Sequence, residues 1–273
     1  MPGEDVGAAL DAASVLARNG VGSVLSALGE RVGTRAEAEA VAGHYTEVLD
    51  AIQARGLPAH VSLKLTHLGL DVDPGRCADM TRTLAERATA SGTMLWIDME
   101  ESRYVDATLD LYRRVRAEYA RVGVCLQSYL RRTPADLESL LAIGGSVRLV
   151  KGAYREPAEV AFPKKSDTDA AFFELGLRML DAATPAHPQV FGTHDLALLN
   201  RLRTSADARG AAPAAWEVHM LYGIKSAEQR VLAASGVGVR VLISYGTHWF
   251  PWYVRRLAER PANVWFVLKS VVS

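Results

Sequence analysis

One segment of the sequence brings together two cations, small residues and an aromatic ring. An apolar, β-branched run that contains Arg148 is followed by Lys151 and then by a glycine, an alanine and a tyrosine at 152–154. If the run is a buried strand, its C-terminal end delivers both positive charges, exposed backbone and the ring to one place. Because a planar, anionic ligand uses all of these groups, we expect a ligand-binding site at this end of the strand.

Polar residues also follow most of the other apolar runs. In chain order they are Glu30, Lys64, Asp98, Gln127, Arg148 with Lys151, Thr193 with His194, and His219, and the last segment adds Arg255, Arg256 and Glu259. This set has several cations and few anions, so it suits a ligand with carboxylate or phosphate groups. Arg255 and Arg256 could also belong to a solvated helix face. Since adjacent helix residues point about 100° apart, one of the two can still face the site.

Short apolar runs alternate with amphipathic segments along almost the whole chain. Eight runs are strand-like, near Val24, Leu63, Leu95, Val124, Leu149, Val190, Val218 and Val241. Eight strands that are each followed by a helix predict a (β/α)8 barrel, in which the strand ends converge on one mouth. A doubly wound open sheet is the alternative, but no Gly-x-Gly-x-x-Gly turn follows the first strand. We predict a single barrel domain over 1–273, with a helical extension at 1–19.

Several of the candidate residues also have a purely structural interpretation. Lys64 could form an interior salt bridge with Asp98, since a charge inside a barrel is costly unless it is paired, and Asp98 alone could cap a helix. Thr193 and His194 could be a core hydroxyl and a hydrogen-bonded histidine. His194 and His219 could be metal ligands, but no third histidine or cysteine has a ligand-like placement, so we expect no metal site.

Composition and charge exclude several classes of protein. Hydrophobic residues make up 49% of the 273, and Lys plus Arg balance Asp plus Glu at 31 each, so no basic excess indicates nucleic-acid binding. Two cysteines without a Cys-x-x-Cys pair make no disulfide framework. The N-terminus has no apolar signal region, and no apolar run reaches the ~20 residues that cross a membrane. These features predict a cytoplasmic protein.

Eight short motifs, taken in order, resemble those of the proline dehydrogenase family. They are Leu-Gly-Glu (28–30), Leu-Lys-Leu-Thr (63–66), Ile-Asp-Met-Glu (97–100), Leu-Gln-Ser-Tyr-Leu (126–130), Arg-Leu-Val-Lys-Gly-Ala-Tyr (148–154), Thr-His-Asp (193–195), Leu-Tyr-Gly (221–223) and Arg-Arg-Leu-Ala-Glu (255–259). The resemblance starts at about Val6 and includes the small monofunctional bacterial enzymes and the dehydrogenase domain of bifunctional proline-utilisation flavoenzymes. It implies a distorted (β/α)8 barrel that holds FAD non-covalently, in agreement with the strand count.

The resemblance implies a role for each matching residue on the substrate side. Lys64, Arg255 and Arg256 would bind the substrate carboxylate, and Asp98 would orient the substrate and Lys64. Glu30 would pair with Arg255 as a gate over the bound substrate. The remaining substrate-side residues would be Tyr154, Leu221, Leu242 and Trp252.

The cofactor side is implied in the same way. Arg148 would approach the N5 edge of the flavin and would act in catalysis together with Asp98 and Lys64. Gln127 would bond the isoalloxazine ring system, and Glu259 would anchor the arginine pair and nearby cofactor groups. The other cofactor-binding residues would be Met99, Lys151, Gly152, Ala153, Tyr154, Thr193 and His194.

The implied activity is the FAD-dependent oxidation of L-proline to pyrroline-5-carboxylate by hydride transfer to flavin N5. The reduced flavin of such enzymes usually passes its electrons to a membrane quinone. The expected partners are therefore a small cyclic amino acid and a quinone or another electron acceptor. We also expect a transient, peripheral contact with the membrane surface and no nucleic acid.

Two substrate-side positions depart from the family pattern. The family usually has tyrosines where this sequence has Leu242 and Trp252. Leu242 removes a hydroxyl and some volume, and Trp252 adds volume, so a substituted proline or a piperidine carboxylate is an alternative substrate. The family glutamine of the seventh strand is also replaced, by His219. Two further alternatives are a flavin-binding homologue without turnover, and a metal or phosphate-sugar barrel enzyme that uses His194 and His219.

Overall fold

Eight parallel strands alternate with helices in residues 1–247, the part of the chain that the computed structural model describes. The strands are β1 (Gly22–Ala27), β2 (Ala59–Leu63), β3 (Leu95–Ile97), β4 (Val122–Gln127), β5 (Ser146–Val150), β6 (Gln189–Gly192), β7 (Trp216–Leu221) and β8 (Gly238–Tyr245). The helices are α1 (Val6–Arg18), α2 (Arg35–Ala54), α3 (Pro74–Ala90), α4 (Val105–Glu118), α5 (Thr133–Leu141), α6 (Lys165–Ala182), α7 (Leu196–Ala208) and α8 (Ser226–Ala234). Short 3₁₀ helices occur at Thr66–Leu68, Ser102–Tyr104 and Pro213–Ala215. The predicted last helix, with Trp252, Arg255, Arg256 and Glu259, lies outside the described residues.

The sheet is closed by the pairing of its first and last strands. Strand β8 runs parallel to β1, in a register that extends from Gly22 opposite Arg240 to Ala27 opposite Tyr245. The remaining strands follow one another around the barrel in chain order. The predicted (β/α)8 barrel is therefore confirmed, and the alternative of an open, doubly wound sheet is wrong.

Local sequence signals determine where the helices begin. The hydroxyl of Thr34 accepts a hydrogen bond from the Glu37 N–H, and the Glu37 carboxylate accepts one from the Thr34 N–H, as the capping-box spacing predicts. Asp73 caps α3 in front of Pro74, and Asp195 caps α7. These caps fix the points at which the loops of the barrel mouth end.

Helix α1 departs from the regular repeat. It precedes β1 and packs against both β1 and β8, so it covers the seam at which the barrel closes. Its buried residues Ala9, Leu10 and Ala13 belong to the main core between the strands and the surrounding helices. The segment predicted as a helical extension thus lies against the strands as part of the barrel wall. No helix within residues 1–247 has the length and apolar character needed to span a bilayer.

Small residues let large side chains cross the lower interior of the barrel. A Cβ on Gly123 would overlap the ring of the fully buried Trp96. A Cβ on Gly22 would lie 2.8 Å from the guanidinium of Arg240. Trp96 and Arg240 therefore fill this region as a floor, at the close packing typical of protein interiors. Because side chains alternate along a strand, residues two positions further on face the C-terminal mouth.

Candidate active site

A cavity of about 570 Å³ opens at the C-terminal ends of the strands. Thirteen of the site residues predicted from the sequence line it, namely Lys64, Asp98, Met99, Gln127, Arg148, Lys151, Gly152, Ala153, Tyr154, Thr193, His194, Leu221 and Leu242. They come from strands β2 to β8 and from the loops that follow these strands. Glu30 lies further along the β1–α2 loop and is not among the lining residues, while its predicted partner Arg255 is outside the described part of the chain.

Asp98 and Arg148 form an ion pair across the cavity, between the ends of β3 and β5. The hydroxyl of Ser62 on β2 donates to Asp98 Oδ1 at 2.9 Å and accepts from Arg148 Nη2 at 2.9 Å. The structure thus corrects the interpretation that Lys64 and Asp98 form an interior salt bridge. Arg148 is the cation that Asp98 pairs with, because the strand register brings its guanidinium to the same Oδ1 as the Ser62 hydroxyl.

The guanidinium of Arg148 also rests on the floor of the barrel. Its Cζ lies 5.2 Å from the centroid of the Trp96 ring, a cation–π distance. The Trp96 Nε1–H in turn donates to Nδ1 of His60 at 3.3 Å. Arg148 is only 4% exposed, so its charge is held by Asp98, Ser62 and the indole rather than by bulk water.

A partly buried polar cluster of Glu217, Arg240 and His219 completes the floor. The Glu217 carboxylate accepts from Arg240 Nε at 2.8 Å and lies 3.3 Å from His219 Nε2. Burial lowers the pKa of His219 to about 4, so the ring is neutral at physiological pH. Burial opposes ionisation of Glu217, but the bond to His219 and the charge of Arg240 lower the pKa of Glu217 overall. The single ring hydrogen of His219 therefore lies on Nε2 and is donated to Glu217.

His194, which follows the neighbouring strand β6, has a defined tautomer as well. Its Nε2 accepts a hydrogen bond from the backbone N–H of Leu221 at 2.9 Å. Burial, assisted by the charge of Lys225, lowers the pKa of His194 to about 4. The neutral ring must therefore carry its hydrogen on Nδ1, which makes it a donor. Within residues 1–247, no three or more His, Cys, Asp or Glu side chains are grouped so that they could hold a metal.

Lys151 joins the loop after β5 to the helices that follow β5 and β6. Its Nζ lies 2.6 Å from Asp169 Oδ1 and 2.9 Å from Asp195 Oδ2. Burial opposes ionisation of both carboxylates, but the hydrogen bonds from Lys151 lower the pKa of Asp169 and of Asp195 overall. Lys165 forms a further ion pair with Asp169. Two lysines and two aspartates thus form a balanced network at the edge of the cavity.

Lys64 stands beside a second buried carboxylate. Glu100 accepts hydrogen bonds from the Thr66 N–H at 3.1 Å and from the Thr66 hydroxyl at 2.6 Å, and this holds the turn that follows Lys64. Burial raises the pKa of Glu100 to about 7, although the bonds from Thr66 and the charge of Lys64 act in the opposite direction. Within the described residues, Lys64 itself makes no ion pair. The Lys64 residue is only 9% exposed and lines the cavity, so its charge is a cation available for an anionic ligand.

Glycines form part of the cavity wall at points where a side chain would overlap its neighbours. Gly152 has φ +114°, and a Cβ there would overlap the ring of Tyr129. A Cβ on Gly192 would lie 2.7 Å from Val150 Cγ1. Gln127 is 2% exposed, and its Oε1 has no hydrogen-bond partner in the described part of the chain. The wall therefore offers backbone for close approach and an acceptor for a ring N–H.

Sequence reasoning missed several of the polar residues that support the site. Ser62, Glu217 and Arg240 were not singled out, nor was Asp169 as a partner of Lys151. The first three lie two residues before Lys64, His219 and Leu242 respectively, on the same inward face of their strands. Counting back two residues from the polar residue at each strand end would have identified them, because alternate side chains of a strand face the same side. Asp169 lies on a helix and carries no comparable signal.

Fold and site together define a (β/α)8-barrel enzyme with a cation-rich mouth that suits a small carboxylate and a planar cofactor. A sequence profile of the family described as proline dehydrogenase matches residues 9–269. The chain belongs to the proline dehydrogenase family.

Named relatives agree with this assignment. Proline dehydrogenase 1 of Bacillus subtilis strain 168 is 34% identical over 271 residues, which cover 99% of this chain and 88% of the relative. Proline dehydrogenase of Deinococcus radiodurans is 35% identical over 275 residues, with the same coverage. The bifunctional protein PutA of Escherichia coli is 25% identical over 97% of this chain but only 23% of its own length. The protein is therefore an oxidoreductase of this kind, and membership implies a flavin cofactor.

Solved structures show the same fold. Proline utilization A from Bdellovibrio bacteriovorus superposes with a TM-score of 0.86 at 22% identity, over 94% of this chain and 32% of that chain. Proline utilization A from Corynebacterium freiburgense gives a TM-score of 0.78 at 21% identity, over 93% of this chain and 30% of that one. The present chain thus spans about a third of these longer proteins and matches them as a barrel.

Proposed function

We propose that this enzyme oxidises L-proline to pyrroline-5-carboxylate with FAD bound in the mouth of the barrel. The observation that carries the proposal is the convergence of the thirteen predicted residues on one cavity, from strands that are distant in sequence. A wall of glycine backbone and the unpartnered acceptor of Gln127 fit a flavin ring. The cavity also contains a buried ammonium group without an ion-pair partner in the described residues, and this fits the substrate carboxylate.

On the substrate side, Lys64 binds the carboxylate of proline, together with Arg255 and Arg256 from outside the described residues. Asp98 orients the substrate ring. Its bonds to Ser62 and Arg148 both end on Oδ1, so Oδ2 is left to accept a hydrogen bond from the ring nitrogen. This contact holds the carbon next to the nitrogen in one position relative to the cofactor, which is the main contribution that a protein makes to hydride transfer.

On the cofactor side, Arg148 directs its positive charge toward the reactive edge of the flavin. When bound, the flavin supplies the two-electron acceptor for the hydride of the substrate carbon, which leaves an imine. Gln127 would bond the ring system, and His194, whose Nε2 is occupied by the Leu221 N–H, would donate its Nδ1–H to the cofactor. Met99 and Thr193 would be further contacts, as would Glu259 from outside the described residues. Lys151 and the backbone of 152–154 line the cavity and would contact the rest of the cofactor beyond its ring system.

A flavin titration tests this proposal. The purified protein is expected to be yellow, and anaerobic addition of L-proline is expected to bleach the flavin absorbance. The same titration with substituted prolines and piperidine carboxylates tests the alternative substrates suggested by Leu242, which lines the cavity, and by Trp252. If a ring analogue bleaches the flavin and proline does not, the analogue rather than proline is the substrate. A yellow protein that no imino acid bleaches would indicate a flavin-binding homologue without turnover.

The electron acceptor is part of the same proposal. We expect a soluble quinone analogue to restore turnover after the flavin has been bleached by substrate. A transient contact with the membrane is tested by sedimentation with anionic lipid vesicles, with and without L-proline. Turnover with the quinone would support a quinone as the electron acceptor. If the protein also fails to sediment with vesicles under either condition, the proposed membrane contact is rejected.

A further inference from the structure

We propose that Glu156 is a positioning residue, which holds the loop between β5 and α6 in place so that Tyr154 faces the substrate side of the cavity. The inference rests on the proposed function for its catalytic consequence. Its structural basis is a contact between Glu156 and Ser102, which we call the Glu156 latch. Glu156 touches neither the cavity nor a predicted ligand and acts through the loop alone.

The Glu156 latch is a two-point contact. The backbone N–H of Ser102 donates to Glu156 Oε1 at 2.7 Å, and the Ser102 hydroxyl donates to Glu156 Oε2 at 2.7 Å. Both groups are partly buried. Two short bonds to an ionised carboxylate fix its orientation as well as its position, and charge-assisted bonds of this kind are stronger than neutral ones.

The latch also supplies a cap that the local sequence lacks. Ser102 is the first residue of the 3₁₀ helix that leads into α4. Neither Glu101, the residue before this 3₁₀ helix, nor Tyr104, the residue before α4, makes a side-chain capping bond. Helix starts leave unpaired N–H groups and favour a negative charge. Glu156, from a distant segment, provides both the hydrogen-bond acceptor and the negative charge. The contact therefore stabilises the start of the 3₁₀ helix as well as the loop that carries Glu156.

The loop is anchored on both sides of the segment that carries Tyr154. Before it, the backbone oxygen of Lys151 accepts from the Tyr129 N–H at 3.0 Å. After it, Phe162 N–H donates to the Tyr129 oxygen at 2.8 Å. Further along the loop, Arg131 donates its Nε–H to the Ala158 oxygen and its backbone N–H to the Val160 oxygen, both at 3.0 Å. Glu156 supplies a side-chain anchor ahead of these contacts, two residues after Tyr154. When this anchor is lost, Tyr154 has to be ordered as substrate binds.

Hydrogen exchange gives a test that does not depend on activity. In the flavin-loaded enzyme, Glu156→Ala is expected to increase exchange in peptides that cover 102–106 and 152–156. Glu159→Ala is the matched control, since Glu159 lies on the same loop, is exposed, and makes no ion pair within residues 1–247. If the two variants exchange alike in both peptides, the Glu156 latch does not hold the loop and the inference is overturned.

Kinetics test the positioning role. Glu156→Ala is expected to raise KM for L-proline by roughly 5- to 30-fold, with kcat and flavin content changed less, since lost ordering is regained only on binding. Glu156→Gln keeps one acceptor and is expected to fall between the wild type and the alanine variant. Ser102→Ala should raise KM by a smaller factor, and the double variant should be no worse than Glu156→Ala alone. Additive effects would contradict a role through Ser102.

The outcomes separate this inference from the proposed function. If the wild type does not oxidise L-proline, the proposed function fails, while the exchange result still decides whether the latch exists. If the wild type oxidises L-proline and Glu156→Ala matches Glu159→Ala in exchange and in KM, the latch is rejected and the function stands. If Glu156→Ala does not fold, Ser102→Ala and Glu156→Gln carry the same comparison.

Discussion

Asp98 and Arg148 share one buried hydroxyl, that of Ser62, and form an ion pair between the ends of β3 and β5. Strand β4 lies between them, so the pair spans the mouth rather than linking neighbours. Arg148 also contacts the Trp96 ring, which itself fills the space left by Gly123. The positive charge at the centre of the site is therefore fixed by residues from three other strands, β2, β3 and β4.

Removing Asp98 should destabilise the protein as well as inactivate it. Asp98→Ala leaves Arg148 buried without its anion, which typically costs about 3–5 kcal/mol. Asp98→Asn keeps an acceptor for Arg148 and should cost less, although substrate orientation is lost in both. Urea unfolding monitored by circular dichroism measures the two costs. The control is Glu118→Ala, which breaks an exposed pair with Arg82 and should change stability by less than about 1 kcal/mol.

Gly152 should not tolerate a methyl group. Its φ of +114° disfavours any other residue, and a Cβ would overlap the Tyr129 ring. Gly152→Ala is expected to lower stability by about 1–3 kcal/mol and to reduce the flavin bound per protein after purification. Gly43→Ala, in the middle of α2 with open space around the new Cβ, should instead stabilise the protein by roughly 0.5–1 kcal/mol. Equal flavin content in both variants would argue against close cofactor approach at Gly152.

The carboxyl group of Glu100 should make stability depend on pH. Burial raises its pKa from 4.5 to about 7, against the bonds from Thr66 and the charge of Lys64, while Glu30 acts in the same direction as burial. The folded state thus binds a proton more tightly than the unfolded chain, so the stabilisation is complete below pH 4.5 and is lost as the pH rises through 7. The Glu100→Gln variant has no carboxyl group to ionise at this position, so it does not lose stability in this way as the pH rises.

Unfolding at a series of pH values measures the effect of Glu100→Gln. The stability of the variant relative to the wild type is expected to rise between pH 4.5 and 7, by up to roughly 3 kcal/mol. A difference that stays constant across this window would mean that Glu100 does not change its protonation there.

Lys151 should matter for cofactor affinity more than for folding. Lys151→Met keeps most of the aliphatic stem but removes the charge that faces Asp169, Asp195 and the proposed cofactor. Loss of one charge-assisted contact is expected to weaken FAD binding by at least about 10-fold. Titration of the apoprotein with FAD, followed by quenching of flavin fluorescence, measures this. Lys164→Met is the control, because Lys164 is exposed and makes no ion pair within the described part of the chain.

Much of the fold follows from local pattern. The capping box of Thr34 and Glu37 and the cap at Asp195 are contacts between residues three apart, so their spacing in the sequence is enough to predict them. The eight apolar runs were placed correctly because a strand buried on both faces is a short, continuous apolar segment. Closure of the sheet through β8 and β1 was expected from the number of βα units and is observed.

The site was predicted less completely than the fold. Residues at strand ends are recognisable because parallel strands bring their C-terminal ends to one mouth, and Lys64, Arg148 and His194 were found in this way. Which charged residues of the site pair with one another was not predictable. Asp98 was considered as a partner of Lys64, but register and the Ser62 hydroxyl bring it to Arg148. The roles of Arg255 and Arg256 remain predictions, because both lie outside the described residues.

The sequence alone determined the barrel class, the family and the identity of most residues around the mouth, because these depend on periodicity and on residue types at strand ends. The tertiary structure decided which charges pair. It placed Arg148 with Asp98, Lys151 between Asp169 and Asp195, and Glu156 on Ser102. These contacts join segments that are 18 to 54 residues apart. Their partners are set by strand register and loop path, which no local pattern in the chain encodes.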